Sequence, residues 1–208
     1  MCIPKRSALQ GCGRNMQGNA MDKFFGNLHL VLLAGLVAAI ALIAYLGPDQ
    51  TLLVNYVLRW LHVFFGITWI GLLYYFNFVQ IPTMPSVPAE LKPGVSKYIA
   101  PKALFFFRWG AAFTVLTGLA VAYVSGYVHQ ALMLAPDYRL IGIGMWLALI
   151  MAFNVWVIIW PNQKKALGLV EADADTKAKA AKTAMIFSRV NTLLSLPMLY
   201  AMTNANLG

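Results

Sequence analysis

Five stretches of about twenty mostly apolar residues, parted by short polar, Pro-rich or Lys-rich segments, constrain this 208-residue chain more than any motif it carries. A bilayer core is crossed by about 20 residues of α-helix, and a helix satisfies its own backbone polar groups where no water is available. The runs are 24–47, ended by Gly47-Pro48-Asp49; 52–80, closing at Gln80-Ile81-Pro82; 103–128; 140–160, with Pro161 as its stop; and 185–206. They predict an all-α membrane protein, a bundle of five transmembrane helices forming one domain over 24–206. A flexible cytoplasmic segment, 1–23, precedes it. The first run follows a basic region but is longer than a signal-peptide core and shows no small-residue cleavage site. Residues 1–20 are rich in Gly, Asn, Gln and Ser, and Met21 is an alternative start.

Charge supports the same reading. Only 11% of residues are charged, under half of the roughly 25% usual in soluble domains. The net charge of +9 sits between the apolar runs rather than on one face, which marks membrane topology and excludes a nucleic-acid partner. With the N-terminus inside, all of the sixteen Lys and Arg except Arg59 and Arg139 are cytoplasmic. The expected orientation is therefore N-inside and C-outside in a bacterial inner membrane, with lipid as the surrounding partner. Cys2 and Cys12 lie ten residues apart in the polar leader with no histidine beside them and no C-x-x-C-H, so neither a zinc site nor covalent haem attachment is indicated.

Helix two carries the most information. Asn55, Arg59, His62, Gly66, Trp69, Leu73, Asn77 and Gln80 recur at steps of 4, 3, 4, 3, 4, 4 and 3, one narrow stripe of an α-helix. Lipid cannot satisfy Arg or His, so the stripe must face the bundle or a wet cavity. Helix three has a small residue at every fourth position, Gly110, Thr114, Gly118, Ala122 and Gly126, a seam for close packing. Measured from helix centres, His62 lies about 5 Å to the outer side of the midplane, with Arg59 a turn further out and Met198 at a similar depth. His29, Arg108, Asn154 and Asn191 fall about 6–11 Å to the inner side, so two polar layers are expected.

His62 is the candidate ligand for a haem iron or other metal, with Arg59 above it to meet a propionate or an anionic substrate. The plainer reading is a histidine hydrogen-bonded between helices and an arginine lining a vestibule. His29 and His62 differ by about 15 Å in depth, too far to clasp one iron, which leaves Met198 as a possible sixth ligand or an ordinary core methionine. His129 sits at the outer edge of helix three. Arg108, Asn154 and Asn191 either bind an anion or lock helices three, four and five together. Trp60, Trp109, Trp146 and Trp160, near helix ends, read as interfacial anchors. No GxGxxG, P-loop or HExxH is present, and no carboxylate occurs inside a helix, which argues against proton-coupled transport.

Four strings in order, RWLHVFFGITWIGLLYYFNFVQ in helix two, FFFRWGAAFTVLTGL in helix three, MAFNVWVIIWPNQKK in helix four and SRVNTLLSLPMLYAM in helix five, resemble the N-terminal membrane domain of the bacterial membrane-bound urate hydroxylases, the cytochrome c-linked urate oxidases. The resemblance covers residues 53–206 and leaves helix one unmatched. It implies a membrane module that oxidises a purine and hands electrons to a cytochrome c. It also implies that Arg59, His62, Trp69, Arg108, Asn154 and Asn191 occupy the family's motif positions. Because the 208 residues hold no C-x-x-C-H, the cytochrome c is expected to be a separate protein. The leading expectation is thus a membrane redox module binding haem b at His62, with catalytic Arg59, His62 and Trp69. The rivals are a non-catalytic accessory subunit of a larger membrane complex and a small-solute channel or carrier.

Overall fold

The computed structural model describes residues 20–205, which are all-helical, with no strand among them. The cysteines and most of the expected flexible leader lie outside the described residues. The chain divides into two units, Met1–Asp49 and Gln50–Gly208.

In the first unit the expected single helix over 24–47 is two, α1 (Ala20–Phe25) and α2 (Leu28–Leu46). Asn27 causes the break: its Oδ1 accepts from the amides of His29 at 3.0 Å and Leu30 at 3.3 Å, capping α2. A short amide side chain competes with the helix for these donors.

In the second unit, α3 (Gln50–Tyr74) does not stop before Pro82. It continues through a π-helical turn, Tyr75–Gln80, into Ile81–Thr83 and Met84–Ser86. The strand of helix leading to α4 (Ala100–Val124) likewise contains a π-helical turn, Val95–Ile99. After α5 (Val128–Leu132), α6 (Arg139–Phe153) passes through a third π-helical turn, Asn154–Ile159, into Trp160–Ala166. Each π turn ends two residues before a proline, Pro82, Pro101 or Pro161. The cause is steric. A proline ring strikes the carbonyl four residues back, and widening the turn to i→i−5 bonding lets the helix pass without breaking. Pro82 and Pro161, read from sequence as stops, are points where the helix changes pitch.

Antiparallel α3 and α4 meet along the predicted seam. A Cβ on Gly110 would lie 3.3 Å from the Trp69 amide nitrogen, and one on Gly66 would lie 3.9 Å from Thr114. α7 (Ala174–Asn204) is one 31-residue helix. It buries Ala180, Ala184, Ser188, Asn191, Ser195, Met198 and Ala201 along one face. A Cβ on Gly144 of α6 would stand 3.1 Å from Ala201. Tyr74 meets Ser195 at 2.9 Å and Asn77 meets Ser188 at 2.8 Å, tying α3 to α7. Trp69, Leu73, Phe107, Met151, Val155 and Ile159 are almost fully enclosed. In lipid such packing is held by dispersion and interhelical hydrogen bonds rather than by escape from water.

Among the described residues, four segments are long and apolar enough to cross a membrane: Leu28–Leu46, Leu52–Ser86, Lys92–Val124 and Pro136–Ala166. α7, expected as a fifth crossing over 185–206, is not among them. Lysines fill its first turns, and Ser188, Arg189, Asn191 and Ser195 dilute the apolar remainder.

Candidate functional site: the two polar ends of the bundle

His62 leaves α3 toward α4, and its Nδ1 lies 2.9 Å from the carbonyl oxygen of Thr114. A carbonyl can only accept, so in the neutral ring Nδ1 carries the hydrogen and Nε2 keeps its lone pair. The Thr117 hydroxyl is 3.5 Å from the same nitrogen, although its better bond is to the Phe113 carbonyl at 2.6 Å. Gly118 makes room for the ring: a Cβ there would stand 2.7 Å from Cε1 and 3.0 Å from Nδ1. Any side chain at position 118 has to displace the imidazole. A tautomer set by a backbone carbonyl and a ring set by a notch are what a metal-binding histidine needs from its surroundings.

Arg59, one turn away on α3, is exposed. Its charge reaches Tyr127, whose phenol is raised by burial and lowered in part by Arg59. Tyr127 in turn stacks on Tyr138 at 5.7 Å. Thus His62 turns onto α4 while Arg59 remains exposed. Met198 is buried in the main hydrophobic core, and Trp69 is wholly buried with its Nε1 lacking a partner. His29 belongs to the first unit, on the exposed first turn of α2.

The other end carries the lysines. Asn154 Nδ2 donates to Asn191 Oδ1 at 2.8 Å, and Asn191 Nδ2 donates to the Met151 carbonyl at 2.9 Å. This pair locks α6 to α7, and Asn191 is fully buried. Arg108 has a different partner. Its guanidinium carbon lies over Trp160, 3.4 Å from the ring centroid, and the residue is only 9% exposed. Lys164 Nζ is 5.7 Å from the same ring. The geometry follows from helix direction. Side chains tilt toward their own N-terminus, so Arg108 on α4 and Trp160 on the antiparallel α6 extension lean toward each other.

Six buried side-chain atoms among the described residues lack a hydrogen-bond partner: Asn55 Oδ1, Trp69 Nε1, Asn77 Oδ1, Gln80 Oε1, Arg108 Nη1 and Gln163 Oε1. Four of the six, on Asn77, Gln80, Arg108 and Gln163, belong to the lysine-rich end. Sequence reading had assigned Trp160 to the membrane interface and passed over Gln163, Thr114 and Gly118 as sites. The i, i+3 spacing of Trp160 and Gln163 across Pro161 was a usable signal. The notch at Gly118 was not, because it depends on which turn of α3 faces it.

No curated protein and no solved structure matches the chain. Residues 133–207 match the family model described as urate oxidase N-terminal, so the stretch that forms α6 and α7, and holds Asn154, Trp160, Gln163, Asn191 and Met198, is similar to the N-terminal domain of that family.

Proposed function

We propose that this chain is a haem-binding membrane redox module of the urate hydroxylase type, which passes electrons to a cytochrome c. The observation that carries the reading is the seat of His62. Nδ1 is committed to the Thr114 carbonyl, Nε2 is left with its lone pair, and Gly118 leaves the space that the ring occupies. His62 Nε2 would hold the iron of haem b, and Thr114 would keep that nitrogen unprotonated and electron-rich. When bound, the haem would supply a one-electron acceptor. The family match over 133–207 supports a urate-type substrate. In this reading five helices cross a bacterial inner membrane, with the lysine-rich end in the cytoplasm.

The test is a visible spectrum of detergent-purified protein and of His62→Ala. The wild type should show a Soret band, and the variant should lose or shift it while keeping its helical circular dichroism. A colourless, iron-free wild type overturns the proposal and favours an accessory subunit of a larger membrane complex.

A further inference from the structure

Resting on that reading of the substrate class, we infer that Arg108, Trp160, Asn77, Gln80 and Gln163 form a binding site, at the end of the bundle away from His62, for a small planar anion with amide N–H and C=O edges.

The argument begins with an unmet charge. Arg108 is nine-tenths buried and its Nη1 has no partner. Helices α3, α4 and α6 with its extension contain no Asp or Glu, and the acids of α7 stop at Asp175. Trp160 lies against the guanidinium carbon but its ring carries no lone pair for the N–H groups, and Lys164 adds a second cation beside the same ring. A buried, unmatched guanidinium is a standing cost, and a planar acceptor taking two parallel N–H bonds is its best match.

An oxyanion alone does not complete the site. Gln80 Oε1, Gln163 Oε1 and Asn77 Oδ1 are buried acceptors that need donors. Their levels agree with that of Arg108. The Phe76 and Phe107 rings are 5.8 Å apart, so the residues flanking Asn77 and Arg108 touch. Gln163 follows Trp160 by three residues in the same helical segment, and Gln80 ends the π turn that begins at Tyr75. Asn77 spends its Nδ2 on Leu73 and Ser188, so its free oxygen is its only open function. One donor and three acceptors stand open on three helical segments. What satisfies both kinds is a molecule whose edge alternates C=O and N–H and whose charge is negative, the ionised cyclic diamide or purine-dione class. All three π turns, Tyr75–Gln80, Val95–Ile99 and Asn154–Ile159, lie on the helical stretches that make up this end. Such turns rotate side chains out of α-helical phase and recur at functional sites. The Asn154–Asn191 pair is satisfied within itself and is left out of the site.

The test is equilibrium dialysis of radiolabelled urate against the full chain in phosphatidylcholine nanodiscs, with haem content measured on the same samples. Wild type should bind saturably. Arg108→Lys should weaken binding about tenfold or more, because the ammonium keeps the charge and loses the two-pronged plane. Gln80→Leu, which keeps Arg108 intact in case the first variant folds poorly, should also weaken it. Both variants should retain wild-type haem. Unchanged urate affinity in both overturns the site. So does a haem-loaded wild type that fails to bind urate, which leaves the redox reading standing. So does phosphatidylethanolamine that co-purifies with wild type and not with Arg108→Lys, since a zwitterionic headgroup would then be the occupant. Arg108-dependent urate binding by haem-free protein supports the site and sinks the redox reading instead.

Discussion

The two ends of the Gln50–Gly208 unit treat a polar side chain inside an apolar bundle in opposite ways. At the His62 end the helices are regular, and α3 and α4 close on a glycine-threonine seam. The imidazole is bonded to a backbone carbonyl and fitted into a notch. At the Arg108 end three helical stretches change pitch and four buried polar atoms stand open. The imidazole is satisfied at Nδ1 by the protein alone, with Asn55 Oδ1 further along α3 the unpartnered atom at this end. The Arg108 end is incomplete without something added. The proposed redox function would use both ends, the first as a rigid seat for a cofactor and the second as a site whose polar groups are satisfied by a ligand.

The largest effect is expected at the seat. In Gly118→Ala the new methyl would lie 2.7 Å from Cε1 of His62, so the ring must swing off Thr114. If His62 holds haem as proposed, haem retention should fall on the order of 10- to 100-fold, the range for disturbed ligand-supporting contacts, with little change in helix content. Retention equal to wild type would mean that the seat is mere packing, and the contrast between the ends would lose one side.

A smaller effect, opposite in sign, is expected at the other end. Arg108→Met removes a buried charge without a counter-charge and keeps a flexible apolar stem over Trp160. Ligand-free protein should gain about 1 kcal/mol in thermal or denaturant stability, the replacement of buried charge outweighing the lost cation–π contact. Such a gain would mark Arg108 as kept for function rather than folding. A clear loss of stability would show that the end is already satisfied and that the contrast is false.

The smallest effect belongs to neither end and serves as a control. Asp173 starts α7 by accepting from the Thr176 amide at 2.8 Å and the Thr176 hydroxyl at 2.7 Å. The amide and then the hydroxyl bond hold its carboxyl below the ordinary aspartate range. A folded-state pKa below the unfolded one gives a contribution that is present above the unfolded value, near pH 4, and lost as pH falls through the folded one. Hydrogen exchange at Thr176 should therefore quicken only in that acid window, and Asp173→Ala should abolish the pH dependence. Fraying at neutral pH in the parent would refute this account of the cap.

Sequence alone determined the membrane class, because long apolar runs with Lys and Arg between them have no other stable home than lipid and other helices. It also determined the stripe on helix two and the small-residue seam on helix three, since a period of 3.6 residues decides which side chains share a face. His62 and Arg108 were legible as costly residues for the same reason. Tertiary structure decided the rest. Only the packed helices show that His62 turns to Thr114 while Arg59 stays exposed, because residues on one stripe still point along different directions. Only they separate Arg108 from the Asn154–Asn191 pair that shares its depth, since depth fixes a level and not an azimuth. Proline spacing alone did not reveal that Pro82 and Pro161 would widen their helices rather than end them. That choice depends on whether neighbouring helices offer enough contact to keep the chain helical past the clash, and here α7 does so, bonding Asn77 and packing along α6.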